Sequence, residues 1–111
     1  MEPDEWGKDP QVRFLRRVFS RIEDAQKGLL DKIGISLFDE RLKRIRDGAL
    51  TIFERAWAMA LRKGMNLEEK DLVHLYIFSF AYVLERYKIF LPQDILPSDE
   101  SMKKIVFEVT R

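Results

Sequence analysis

Cysteine is absent from this 111-residue sequence, histidine occurs once, and neither sign of charge prevails. Without cysteine, disulfides and thiolate-bound metals are excluded. The net charge of +1 gives no overall attraction to nucleic acid or to an anionic membrane surface. The longest near-apolar run, Leu72 to Leu84, falls short of the roughly 20 residues that span a bilayer, and the first residues lack the pattern of a signal peptide. We therefore expect a soluble cytoplasmic protein with no membrane association.

The abundant residues are those of a small folded domain. Hydrophobic residues make up 46% and charged residues 35% of the chain, enough to fill one core and to coat it, which excludes a disordered chain. Asn66 is the single asparagine, whereas lysine, arginine, aspartate and glutamate are plentiful. A preference for ion pairs over labile amides is typical of thermophile proteins, so we expect a thermophile origin.

Apolar residues recur at intervals of three and four in three long stretches, which is the period of an α-helix and not of a strand. We therefore predict an all-α fold. Residues 1–9 are predicted to form a flexible tail, residues 10–91 a helical bundle, and residues 92–111 a C-terminal arm or short helix. Asp9 followed by Pro10 is typical of the start of the first helix, and Gly34 is predicted to end it.

Capping residues predict where the second and third helices begin. Ser36 is predicted to cap the second helix, Gly64 to follow its end, and Asn66 to cap the third helix. The third helix, predicted from Leu67 to Phe90, is apolar around most of its circumference and should occupy the centre of the bundle.

The predicted architecture is three long helices in an antiparallel bundle, followed by a short C-terminal element. The run from Ile105 to Val109 fits a strand equally well, but we favour a short helix or an extended arm. The second helix acquires an additional apolar face, which consists of Leu50, Phe53, Trp57 and Leu61. One small bundle does not need this much apolar surface, so we expect burial against a second copy, in a homodimer or larger homo-oligomer.

Three carboxylates near the joint between the second and third helices are candidate metal ligands. Glu68 and Asp71 are three residues apart, so their side chains point to the same side of a helix. Glu54, in apolar company on the second helix, could supply a third oxygen ligand for Mg²⁺. Alternatively, the acids complement the dipole of the third helix, and Glu54 pairs with a lysine or arginine. His74 shares the side of Asp71 and could join it in a transition-metal site, although a lone histidine is usually a packed residue.

Arginines four residues apart form a stripe along the first helix, at Arg13, Arg17 and Arg21. Such a stripe could bind the phosphates of a nucleotide or of RNA. Acidic residues interleave with the stripe, among them Glu23 and Asp24, so an ordinary charged surface is the alternative. No glycine-rich phosphate loop, nucleophile elbow or zinc pattern occurs in the sequence.

Residues Phe53 to Leu96 resemble the all-α nucleoside triphosphate pyrophosphatases, the MazG-like family. A helix bearing Glu54 precedes a short loop, Glu-Glu-Lys-Asp-Leu at 68–72 opens an apolar helix, and Tyr-Lys-Ile-Phe-Leu-Pro-Gln-Asp-Ile-Leu at 87–96 follows it. The resemblance implies a helical dimer or tetramer, Mg²⁺ held by carboxylates, and release of pyrophosphate from a nucleoside triphosphate. Trp57 stands where that family carries the second glutamate of a Glu-x-x-Glu pair, so one of its metal ligands is missing.

Two functions from different classes follow from these patterns. The first is a MazG-like pyrophosphohydrolase, or a degenerate relative without activity, with Mg²⁺ on Glu54, Glu68 and Asp71 and triphosphate on the arginine stripe. The second is a non-catalytic protein-interaction or nucleoprotein-assembly subunit, whose second helix docks a partner. A helical metal carrier that uses Asp71 and His74 is a third alternative.

Overall fold

The computed structural model describes residues 9–111, and all regular structure in that range is helical. The elements are α1 (Pro10–Lys32), α2 (Leu42–Arg62), α3 (Glu69–Arg86), a 3₁₀ turn (Gln93–Ile95) and α4 (Glu100–Thr110). The prediction of an all-α fold is therefore confirmed. Within the described range, no helix is long and apolar enough to cross a membrane. The predicted tail, apart from Asp9, lies outside the described residues.

The first helix begins and ends where local chemistry predicts. The Asp9 side chain accepts a hydrogen bond from the Gln11 N–H at 2.8 Å, and Pro10 occupies the first turn of α1. At the other end, Gly34 has a φ of +73°, a left-handed conformation that glycine adopts without steric cost. Three residues, Asp9 and Pro10 at the start and Gly34 after the end, thus fix both ends of a long helix.

The prediction that Ser36 caps the second helix is wrong, because α2 begins only at Leu42. The Ser36 hydroxyl instead accepts a hydrogen bond from the Phe38 N–H at 3.1 Å. Asp39 accepts from the Arg41 N–H at 2.9 Å and pairs with the Arg41 guanidinium at 2.8 Å. These bonds from Arg41 stabilise the ionised carboxylate and hold the pKa of Asp39 at about 2. The segment is a turn, and Phe38 is 94% exposed within it.

A short turn joins α2 to α3, which makes them antiparallel neighbours in a helical hairpin. Gly64, with a φ of +75°, follows the end of α2 as predicted. The N-cap of α3 is Glu68 and not the predicted Asn66. α3 also ends at Arg86, earlier than the predicted Phe90. The hairpin therefore has its predicted place in the sequence, with a shorter second helix.

α3 lies at the centre of the fold, as its nearly continuous apolar sequence predicts, because it packs against α1, α2 and α4. Its buried side chains are Leu72, Val73, Leu75, Tyr76, Phe78, Ser79, Phe80, Val83 and Leu84. Gly48 lies at the contact between α2 and α3, where a Cβ would meet both γ-methyl groups of Val83 at 3.4 Å, an ordinary van der Waals distance. The outer helices rest on this tightly packed pair.

The C-terminal segment is a helix, not a strand or an extended arm. The Asp99 carboxylate accepts a hydrogen bond from the Met102 N–H at 3.2 Å and so caps α4. Ile105 and Val106 are buried, and α4 packs against both α2 and α3. The short-helix alternative is therefore confirmed, and this helix completes the core.

Candidate functional site

The predicted metal ligands at the start of α3 cap that helix. The Asp71 carboxylate accepts a hydrogen bond from the Glu68 N–H at 2.9 Å, and the two residues form a capping box. This arrangement satisfies backbone N–H groups that have no helical carbonyl partner. Glu68 is exposed and Asp71 is half-buried. The structure therefore brings these two carboxylates together, and both of them cap the N-terminus of α3.

Glu54, the third predicted ligand, is exposed on α2. Leu50 and Leu61 on the same helix are 36% and 60% exposed, so the apolar company of Glu54 is open to solvent and does not bury its charge. Among residues 9–111, no group of three or more Asp, Glu or His side chains could hold a metal ion. The three carboxylates do not converge in this structure, and Mg²⁺ binding at Glu54, Glu68 and Asp71 stays a prediction.

The predicted phosphate-binding arginines of α1 face the start of α3. Arg17 Nε lies 3.4 Å from Glu69 Oε2, and Arg21 Nη1 lies 3.3 Å from Glu69 Oε1. Both arginine side chains are more than half exposed, so each pair contributes at most about 1 kcal/mol. Arg13 also has an interaction of its own. The stripe thus meets an acidic residue of α3, and its binding of phosphate stays a prediction.

His74 connects α3 to the cap of α4. Its Nδ1 lies 2.8 Å from Asp99 Oδ2, and the ring nitrogen donates because the ionised carboxylate can only accept. The other oxygen of Asp99 accepts from the α4 backbone. Because Asp71 and His74 have separate partners, this geometry assigns both of them structural roles. The histidine is partly buried, as expected for a packed residue.

A buried polar pair connects α1 to α3. The Tyr76 hydroxyl donates a hydrogen bond to the side-chain oxygen of Gln26, and both residues are at most 5% exposed. Burial raises the pKa of Tyr76 to about 12, because the phenolate would lose its hydration, and the positive charge of Arg46 opposes this shift in part. Within the described chain, no buried side-chain nitrogen or oxygen lacks a hydrogen-bond partner. The polar side chains buried within residues 9–111 are therefore all paired.

Apolar side chains remain exposed on several outer faces of the fold. The large hydrophobic residues that are at least 36% exposed within the described range are Leu15, Phe19, Leu37, Phe38, Leu50, Leu61, Phe90 and Phe107. Single exposed hydrophobic residues are ordinary, but contiguous apolar surfaces mark binding sites. The described residues form two such surfaces, one between α3 and α4 and one on α1.

The groove between α3 and α4, termed the C-terminal groove, has a volume of about 380 Å³. Phe78 and Tyr82 of α3 line one wall, Val106 and Phe107 of α4 line the other, and Leu96 also lines the groove. Sequence reasoning missed this groove, because the sequence does not show which helix pairs with the C-terminal segment. The available signal is the helical spacing of Met102, Ile105, Val106 and Val109, which makes the segment amphipathic once it is helical.

No protein-family model, curated protein or solved structure matches this chain. The resemblance of residues 53–96 to MazG-like pyrophosphatases therefore stays a prediction from sequence.

Proposed function

We propose that the chain is a non-catalytic helical subunit that binds a partner protein within a larger assembly. The observation that carries the proposal is the C-terminal groove, an apolar surface at whose edge Phe107 is 60% exposed. The candidate metal ligands also support the proposal, because they already have structural partners. Glu68, Asp71 and His74 are engaged in helix caps and in a contact between helices. A contiguous apolar surface on such a chain is best explained by a partner that covers it.

The C-terminal groove suits an amphipathic helix. Its aromatic and aliphatic walls would receive apolar side chains at positions i, i+3, i+4 and i+7 of a docked helix. The groove also includes charged residues of both signs, with Glu85 on α3 and Lys103 and Arg111 at the α4 side. Opposite charges on a bound helix would fix its direction. We therefore expect a partner segment with acidic residues beside α4 and a basic residue beside α3.

A peptide-display selection tests this proposal without a known partner. A library of helical peptides with randomised apolar faces would be selected on the wild-type chain and assayed on Phe107→Asp. We expect enriched peptides with helical apolar spacing and binding that is at least about tenfold weaker on the variant, because a carboxylate would have to lose its hydration. Leu61→Asp is a matched control, since Leu61 is also 60% exposed but lies on α2. Failure to enrich any peptide, or equal binding to Phe107→Asp, would refute the proposal.

Nucleoside triphosphate pyrophosphohydrolysis is the second candidate, and one observation favours it. Arg17 and Arg21 pair with Glu69 at the start of α3, so cationic side chains lie at the helix end that carries two of the three predicted ligands, Glu68 and Asp71. The predicted carboxylate ligands do not fit a bound Mg²⁺ in this arrangement, because Glu68 and Asp71 cap a helix and residues 9–111 contain no group of three or more Asp, Glu or His side chains that could hold a metal ion. We therefore derive no metal-dependent step from this structure.

A direct assay separates the two candidates. Pyrophosphate release from ribo- and deoxyribonucleoside triphosphates would be measured with Mg²⁺ or Mn²⁺, for the wild type and for Asp71→Asn. The asparagine variant keeps a side-chain oxygen for the helix cap but removes the charge that a cation requires. Metal-dependent release that is lost in the variant would establish the hydrolase. No release by the wild type under any condition supports the non-catalytic subunit.

A further inference from the structure

The outer side of α1 carries apolar residues that the rest of the described chain does not cover. This surface, termed the α1 outer face, consists of Val12, Leu15, Arg16, Phe19, Ser20 and Glu23. Leu15 and Phe19 are 36% and 42% exposed. The buried side of the helix, which includes Val18 and Ile22, faces α3 instead. α1 is therefore apolar on two sides, and only one of them is covered by the other residues of the 9–111 range.

The two charged residues of the α1 outer face have no ion-pair partner among residues 9–111. In contrast, Arg17 and Arg21 on the neighbouring side of the helix pair with Glu69. Arg16 and Glu23 are two helical turns apart, about 10 Å along the axis, which is too far for them to pair with each other. Both charges are thus available to another chain.

We propose that the α1 outer faces of two copies pack antiparallel around a two-fold axis. An axis midway between Phe19 and Ser20 places Arg16 opposite Glu23 of the second copy, and Glu23 opposite Arg16 of the second copy. The same axis brings the two Phe19 rings together, with Leu15 at the flanks. This inference rests on the proposed function, since it names a second copy as one partner of the interaction subunit.

The pattern of charge selects this arrangement among the ways in which two α1 helices can pack. In a parallel pair, Arg16 would face Arg16 and Glu23 would face Glu23, which repels at both positions. The antiparallel pair converts the same four charges into two attractive contacts beside an apolar centre. Ser20, small and next to the axis, allows the two backbones to approach closely. The face is therefore complementary to itself, which is the requirement of a two-fold interface.

Charge reversal and its rescue test the proposal by sedimentation equilibrium of the full chain. We expect a micromolar dimer for the wild type, and at least about tenfold weaker association for Arg16→Glu and for Glu23→Arg, because each single change places like charges opposite each other. The double variant restores both pairs and should return to within about threefold of the wild type. Lys104→Glu and Glu54→Arg make the same charge changes at exposed positions on α4 and α2, and should leave the dimer unchanged.

Because the chain lacks cysteine, a single introduced thiol reports directly on the axis. Ser20→Cys should form a disulfide-linked dimer under mild oxidation, in a yield at least about fivefold above that of Ser101→Cys, which lies exposed on α4. Equal yields would place the axis elsewhere and overturn the proposal.

A wild type that stays monomeric at millimolar concentration, or a double variant as weak as its single parents, also overturns the dimer. The peptide selection at the C-terminal groove can be repeated on Arg16→Glu, which keeps that groove intact. Failure of the dimer is therefore distinguishable from failure of the proposed function.

Discussion

The buried Gln26–Tyr76 pair permits a quantitative test of how α1 is held on α3. Tyr76→Phe deletes the donor and leaves the buried amide oxygen of Gln26 without a partner, while Gln26→Leu leaves the hydroxyl of Tyr76 unpaired. Since both residues are at most 5% exposed, water cannot replace the lost partner, and each change should lower the free energy of unfolding by about 1–3 kcal/mol. The double variant removes both polar groups, so we expect its stability to lie within about 1 kcal/mol of the wild type.

Urea unfolding followed by the far-ultraviolet circular dichroism of the helices measures these changes. The free energy of unfolding of a chain of this size falls by roughly 1–2 kcal/mol per M of urea. The urea concentration at the midpoint of unfolding should therefore be about 1 M lower for each single variant than for the wild type. Ser79→Ala is the control for deletion of a buried hydroxyl, since that hydroxyl bonds to the Leu75 carbonyl of its own helix and not across helices. Single variants indistinguishable from the wild type, or losses that simply add in the double variant, would refute the reasoning.

Alkaline pH provides an independent check on Tyr76. Its pKa is about 10 in the unfolded chain and about 12 in the folded chain, so folding favours the protonated phenol. The stabilisation is complete below pH 10 and is lost as the pH rises through 12, by up to about 3 kcal/mol in total. Tyr76→Phe has no phenol at this position and so lacks this loss of stability. Subtracting its profile of unfolding free energy against pH from that of the wild type removes the contribution of the lysines and the other tyrosines. Parallel profiles for the two proteins would contradict the assigned burial.

Three further predictions concern separate parts of the fold. Asp71→Ala removes one half of the capping box and should cost about 1 kcal/mol in urea unfolding, with no recovery on addition of Mg²⁺; recovery would instead indicate a metal site. Gly28→Ala should increase the free energy of unfolding by up to about 1 kcal/mol and so raise the melting temperature, because a Cβ there meets no atom within 4 Å. Gly34→Ala should lower the melting temperature, because a φ of +73° is strained for alanine. His74→Ala should accelerate amide hydrogen exchange in residues 100–110 by at least about tenfold, and unchanged protection would show that the contact with Asp99 does not hold α4.

Local signals in the sequence predicted the parts of the fold that local chemistry determines. Asp9 and Pro10 start α1, Gly34 and Gly64 occupy left-handed positions after helices, and the apolar sequence of α3 places it at the centre. The late start of α2 was not predicted, because Phe38 fits the helical period. There the Asp39 side chain binds the Arg41 backbone and stabilises a turn in competition with the helix.

The candidate site was harder to predict, because it depends on which helices meet. Glu68-x-x-Asp71 fits both a capping box and a pair of metal ligands, and only the hydrogen bond between them decides in favour of the cap. The partner of the arginine stripe is Glu69, 52 residues away from Arg17 in the sequence. His74 likewise finds its partner in Asp99, at the cap of a helix whose existence the sequence left open. Periodicity specifies the faces of helices but not their pairing.

The central position of α3 has a consequence for the order in which the molecule assembles. The α2–α3 hairpin is built from neighbours in sequence, so its closure costs little chain entropy, whereas α1 must close a loop of about 50 residues to reach α3. We expect the hairpin to form first and to offer bare apolar surface on which α1 and α4 condense later. At this stage the chain is most prone to aggregation, because apolar residues of the hairpin are still exposed. A chaperone or a second copy that binds then would contact residues that are buried in the folded protein.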